Sequence, residues 1–143
     1  MRLLLPWLAI VAVACGGSPD ESEPAGTTFE AINADVFVPR CTNACHSGGP
    51  DIAAGGLDLR DDPGTSLIDH PATASVCKGM GMKRVVPGHP ESSLLYLKIL
   101  SKIDGSEAPC GDGMPSGVQV EPLSSEEAER VRAWIAESSR RDD

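Results

Sequence analysis

The stretch Cys41-Thr42-Asn43-Ala44-Cys45-His46 constrains this chain more than any other. Two thiols and an adjoining imidazole are what covalent haem attachment needs. Each thiol can add across a vinyl group of the ring, and the histidine then falls beneath the iron as an axial ligand. The common spacing is C-x-x-C-H. Here the thiols are one residue further apart, and the extra residue is expected to bulge outward in a loop. Two other readings stay open. Cys41 and Cys45 could close a small surface disulfide loop with His46 in solvent. Alternatively, Cys41, Cys45 and His46 could hold zinc with a distant fourth ligand, although the paired C-x-x-C knuckles typical of such sites are absent.

The rest of the composition leaves little with which to build a core. From Cys15 onward, Leu, Ile, Val and Phe account for 24 of 129 residues, and the aromatic residues are Phe29, Phe37, Tyr96 and Trp134. So little apolar surface barely offsets chain entropy. A buried prosthetic group acting as core, together with a disulfide constraining the loops, would supply what is missing.

The chain opens with Arg2 and an apolar run from Leu3 to Ala14. That run is too short for a permanent membrane span and reads as a secretory signal over residues 1–14. Ala12-Val13-Ala14-Cys15 resembles a bacterial lipobox, with cleavage before Cys15 and lipid on its sulfur. Residues 15–27 then form a lipidated tether rich in Gly, Ser, Pro and acid. Export to the periplasmic side of a membrane or to the cell surface, with a lipid anchor, is the expected location. Without Arg2, 21 acidic residues face 11 basic ones, which argues against nucleic acid as a partner. Exported cysteines persist as disulfides. Cys77 and Cys110, which lack an adjacent histidine, are therefore expected to pair and to join the middle loop to the loop that carries Met114.

Periodicity predicts about three helices. Thr27 with Glu30 suggests a capping box, followed by a face of Phe29, Ile32, Val36 and Phe37. Pro39 is expected to stop that helix, placing Cys41 just beyond it. Gly and Pro recur from residue 47 to 90, so long loops are expected there. A second helix is predicted from Pro90 or Glu91 to about Lys102, with a broad face of Leu94, Leu95, Leu97, Ile99 and Leu100. The last helix starts at Ser124, capped by Glu127 and stapled by Leu123, and its stripe is Ala128, Val131, Trp134 and Ile135. The domain spans residues 28–138, with a frayed tail over 139–143 that begins to loosen at Ser138.

Gly113-Met114-Pro115 offers a soft thioether in a turn that can aim it, which makes Met114 the candidate for the second axial position. Met80 and Met82 are rivals, and His70 or His89 would give two imidazole ligands instead. No nucleophile elbow, phosphate loop or H-E-x-x-H is present, and the carboxylates are scattered or sit at helix starts. Substrate chemistry is therefore not expected.

In combination, Val36 to His46, Gly55-Gly56-Leu57-Asp58-Leu59, Arg84 to Leu94, Gly113-Met114-Pro115 and Trp134-Ile135 resemble the small single-haem c-type cytochrome domains of exported bacterial proteins, among them myxobacterial lipoproteins. The similarity covers about residues 29–137. It implies an all-α, cytochrome c-like fold with the terminal helices packed together and one covalent haem c between loops. It also implies Cys41 and Cys45 as thioether sites, His46 as proximal ligand and Met114 as distal ligand. The function implied is electron transfer to redox partner proteins at the membrane, by a monomer. The alternative is a haem-free, disulfide-stapled binding module, and a peroxidase-like haem protein is a third reading.

Overall fold

The first helix begins at Phe29 in a computed structural model that describes residues 26–49, 51–60, 62 and 66–138. The signal segment expected over residues 1–14, Cys15 with nearly all of the expected tether, and the tail 139–143 lie outside the described residues. The N-cap is Thr28 rather than Thr27, its hydroxyl accepting from the Ala31 N–H at 3.3 Å. Thr27 is used differently: its Oγ1 donates to Glu137 Oε2 at 3.1 Å and ties the start of the domain to its last helix.

Helix α1 (Phe29–Ile32) is a regular α-helix for one turn only, then continues as a π-helix over Asn33–Thr42. Pro39 lies inside this helix and does not stop it, contrary to the sequence expectation. In an α-helix the proline ring presses on the carbonyl four residues back. A π-turn is wider and bonds to the fifth residue back, as Asn43 N does to Val38 O at 3.2 Å, so the ring is accommodated. Cys41 consequently sits within the helix rather than after it.

Phe29, Ile32, Val36 and Phe37 are all buried on one face, as the periodicity predicts. They pack against the fully buried Trp134. Ring centroids lie 5.7 Å apart for Phe29–Trp134, and 6.2 Å apart for both Phe37–Trp134 and Phe29–Phe37. This aromatic triangle joins the two terminal helices and is the heart of the core.

The middle of the chain is largely irregular, with two isolated bridges, Ile68 to Val85 and Pro71 to Lys83. One short helix there, α2 (Ser75–Gly79), has no periodic signal in the sequence. The next helix does not run unbroken from Pro90. Pro90–Ser92 form a 3-10 turn, Ser93 is extended, and α3 covers Leu94–Asp104. The break arises because buried Ser93 serves the preceding loop: its Oγ accepts from Val86 N at 2.8 Å and donates to His89 O at 2.9 Å. Gly105, at φ +74°, ends α3 in the left-handed conformation.

Helix α4 (Ser125–Glu137) carries the predicted capping box. Ser124 N donates to Glu127 Oε2 at 2.7 Å, and Glu127 N donates to Ser124 Oγ at 3.1 Å. Leu123 and Ala128 are buried beside it, as a staple requires. Ser138 is buried and donates to the Ile135 carbonyl at 2.6 Å, so the helix end is ordered one residue beyond where fraying was expected. The architecture is helical, with no strand among the described residues and with long loops lying between α1 and the α3–α4 pair.

Candidate haem site

The two thiols are spaced by a helical turn. The Cys41 carbonyl accepts from the N–H of Cys45 at 3.2 Å and from that of His46 at 3.1 Å. The three intervening residues therefore wind rather than bulge outward. Residues four apart on a turn lie on one side, so Cys41 and Cys45 share a side. Cys41 is half-buried and Cys45 exposed. Burial pushes the Cys41 thiol up to about 11, with the nearby Arg40 cation opposing.

The loop after His46 folds back on it. Ala54 N donates to Cys45 O at 2.7 Å, and Leu59 N donates to His46 O at 3.0 Å. The Leu57 carbonyl lies 3.2 Å from His46 Nδ1. A carbonyl can only accept, so Nδ1 is the donor in this contact; in the neutral tautomer that makes it, Nε2 is the nitrogen available to a metal. Asp58 locks the loop: its carboxylate accepts from Gly49 N at 2.7 Å, and from Arg60 N at 3.0 Å and Nε at 2.9 Å. These bonds, those from the Arg60 side chain foremost, hold its pKa well below the usual carboxylate range.

Met114 arrives on a loop fastened to α3. Its N–H donates to Lys98 O at 2.8 Å. Gly113 is pressed against the same helix: a Cβ there would lie 2.7 Å from Ser101 Oγ and 3.0 Å from Lys102 N. Lys98 Nζ donates to the carbonyls of Cys110 and Asp112 at 2.6 and 2.8 Å, and Lys102 Nζ donates to Gly117 O at 2.7 Å. Cys110 and Cys77 have their sulfurs 2.09 Å apart, at disulfide distance, so α2 is joined to the start of this loop. Arg40 reaches from the other side and donates to the carbonyls of Glu121 and Pro122 at 3.1 and 2.7 Å.

Between these segments lies a cleft of about 170 Å³ whose walls include Cys41, His46, Met114, Leu59, Leu94 and Ile99. A second space of about 110 Å³ shares Cys41, His46 and Met114 with it and adds Cys45. Four residues singled out in the sequence therefore border one region. Their rivals do not: Met80 is exposed, Met82 packs its sulfur 3.8 Å from Cys110 Sγ, and neither they nor His70 and His89 line either space. Two cations, Arg84 and Lys98, border the cleft, and no carboxylate does so among the described residues. Arg84 donates to the Ser66 carbonyl, and burial lowers its pKa. Among the described residues, no group of three or more His, Cys, Asp and Glu side chains is placed to share a metal ion. A zinc site of that kind therefore has no support here.

Sequence reasoning missed Lys98, Arg84 and the steric role of Gly113. The acceptors of the two cations are backbone carbonyls, which leave no trace in side-chain patterns. Asp58 stood in the Gly-Leu-Asp-Leu segment, but its role depends on Gly49 and Arg60. Comparison with family models, curated proteins and solved structures found no match for this chain.

Proposed function

We propose that this chain is a c-type cytochrome that carries electrons through one haem, attached at Cys41 and Cys45 and ligated by His46 and Met114. The observation that carries the proposal is the cleft that collects a thiol, an imidazole held through its Nδ1, and a distant thioether on walls that are apolar apart from Thr73 and the two cations Arg84 and Lys98. The donor set fits the group: thiols for the vinyl positions, imidazole and thioether for a soft axial pair. When bound, haem would supply a one-electron ferrous–ferric couple.

The chain's own residues account for the rest. The Leu57 carbonyl fixes the orientation of His46 and raises its basicity as a ligand. The thioether of Met114, a softer and weaker donor than imidazole, would favour the ferrous state and so a higher potential than two imidazoles would give. Leu59, Leu94 and Ile99 give the cleft an apolar wall for the ring to pack on. Arg84 stands on the wall and would offer a counter-charge to the carboxylates of a bound haem. A lipid on Cys15 and the tether after it would hold the carrier near redox partners and raise their effective concentration. The domain would act without substrate chemistry, as a periplasmic or surface-exposed monomer.

The test is redox cycling of the chain purified from cells with c-type maturation. The expected result is a visible spectrum that converts reversibly between reduced and oxidised forms at one potential. A colourless protein with Cys41 and Cys45 joined would instead support a haem-free, disulfide-stapled binding module. Replacing Met114 by Ala without altering the resting spectrum would support an open, peroxidase-like iron.

A further inference from the structure

One residue of α3 grips both ends of the segment that delivers Met114. The Lys98 carbonyl accepts the Met114 N–H at 2.8 Å. Its ammonium donates to Cys110 O at 2.6 Å and to Asp112 O at 2.8 Å. An ammonium has three donors and no acceptor, so it gathers carbonyls that point the same way. The chain supplies such a pair by turning at Gly111, where φ is +62°. A Cβ at Gly111 would stand 3.5 Å from Lys98 Nζ, so the turn closes directly over the ammonium. Lys98 also forms part of the cleft wall.

The loop thus has two separate fastenings before Met114. The Cys77–Cys110 bond fixes where it begins. The Lys98 ammonium fixes the direction it takes from Cys110 to Asp112. The disulfide by itself does not set the path of the chain from Cys110 to Asp112, because a single attachment point does not fix the direction beyond it.

We propose that Lys98 is the positioning residue for the distal thioether: its ammonium clamps the 110–112 turn so that the Met114 sulfur stays in the cleft. This rests on the cytochrome reading above. The clamp is separate from the aromatic core of Phe29, Phe37 and Trp134, to which Lys98 does not belong. Its effect is therefore expected in ligation more than in folding.

The test compares wild type, Lys98→Leu and Lys98→Arg, each as the full chain loaded by c-type maturation. Leucine keeps an apolar side chain on the wall and removes the donors without adding a sulfur to the cleft; arginine keeps the charge and donors. Three readouts are needed: covalent haem per chain, the weak far-red band of sulfur-ligated ferric iron, and the rate of cyanide binding, which requires the thioether to leave. Lys98→Leu should keep its haem, lose most of the sulfur band and bind cyanide at least about tenfold faster, the factor expected for lost charge-assisted hydrogen bonds. Lys98→Arg should recover part of the band and slow cyanide again. A Lys98→Leu protein with wild-type band and cyanide rate overturns the clamp while leaving the cytochrome reading intact. Wild-type protein that carries haem but lacks the sulfur band overturns Met114 ligation, and the clamp with it. Wild-type protein without haem overturns the cytochrome reading itself.

Discussion

Gly113→Ala tests how tightly the Met114 loop lies on α3. The added Cβ would fall 2.7 Å from Ser101 Oγ, 3.0 Å from Lys102 N and 3.3 Å from Lys102 Cα. Carbon atoms in good contact stand about 3.5–4.0 Å apart, so every one of these is an overlap. Two of the three are helix backbone and cannot swing aside. The third, Ser101 Oγ, belongs to a buried residue and donates to Lys98 O at 3.0 Å. The loop must therefore lift, which strains the Met114 N–H bond to Lys98. Overpacking of this kind costs typically 1–3 kcal/mol, and the rigid partners place this case at about 2–3 kcal/mol. For a domain of this size that is a fall in Tm of roughly 8–20 °C. The assay is urea unfolding followed by circular dichroism, run beside thermal melts, on wild type, Gly113→Ala, Ser101→Ala and the double variant. The nearest overlapping atom is absent in the double variant, so its loss should be smaller than the sum of the single losses, a coupling of about 1 kcal/mol. A Gly113→Ala protein with an unchanged midpoint would refute the close approach. Strict additivity in the double variant would refute the assignment of the clash to Ser101.

Three further outcomes follow from the same geometry. In protein made without haem maturation, iodoacetamide at pH 8 should label exposed Cys45 well before Cys41, because a thiol held near 11 is only about one part in a thousand thiolate at that pH; equal labelling rates, read by mass spectrometry, would contradict the burial of Cys41. Asp58→Asn should destabilise the domain at neutral pH, since the folded-state pKa of Asp58 is depressed. The wild-type advantage is complete above the unfolded carboxylate value near ~4 and vanishes as pH falls through the lower folded value, so a gap in urea midpoints that stays constant down to strongly acid pH would contradict it. Replacing both Cys77 and Cys110 by Ala opens a loop with a sequence separation of 33 and should cost about 3–4 kcal/mol by loop-closure entropy; differential scanning calorimetry would detect the shift, and no shift would mean that the loop is equally restrained without the bond.

The parts of this fold that the sequence revealed are those decided within a turn or two of chain. The stripe Phe29, Ile32, Val36 and Phe37 and the Ser124–Glu127 box with Leu123 are local patterns, and they stand where they were expected. Decisions made across the molecule were hidden. Thr27 and Thr28 are equivalent as sequence, and Glu137, far along the chain, settles which of them caps. Ser93 looked like an interior helix residue until Val86 and His89 claimed its hydroxyl. Pro39 misled because its local penalty is relieved by widening the turn, which no residue pattern advertises. Helix α2 is only five residues long and too short to show a period. For the site, Cys41, Cys45, His46 and Met114 were readable as residue types with reactive chemistry. The struts that aim them, Lys98 and the Leu57 carbonyl, work through backbone atoms that every residue possesses.

Covalent attachment of haem to Cys41 and Cys45 is the claim on which the account stands. The most direct measurement is a pyridine haemochrome spectrum of the protein purified from cells with c-type maturation, beside a haem stain on a denaturing gel. The account predicts a stained band and the α-band position of a ring with both vinyl groups saturated, because Cys41 and Cys45 lie on one side of a single turn. An α-band with one vinyl intact would mean that this turn presents only one thiol to the ring. An unstained band and no haemochrome would contradict the account.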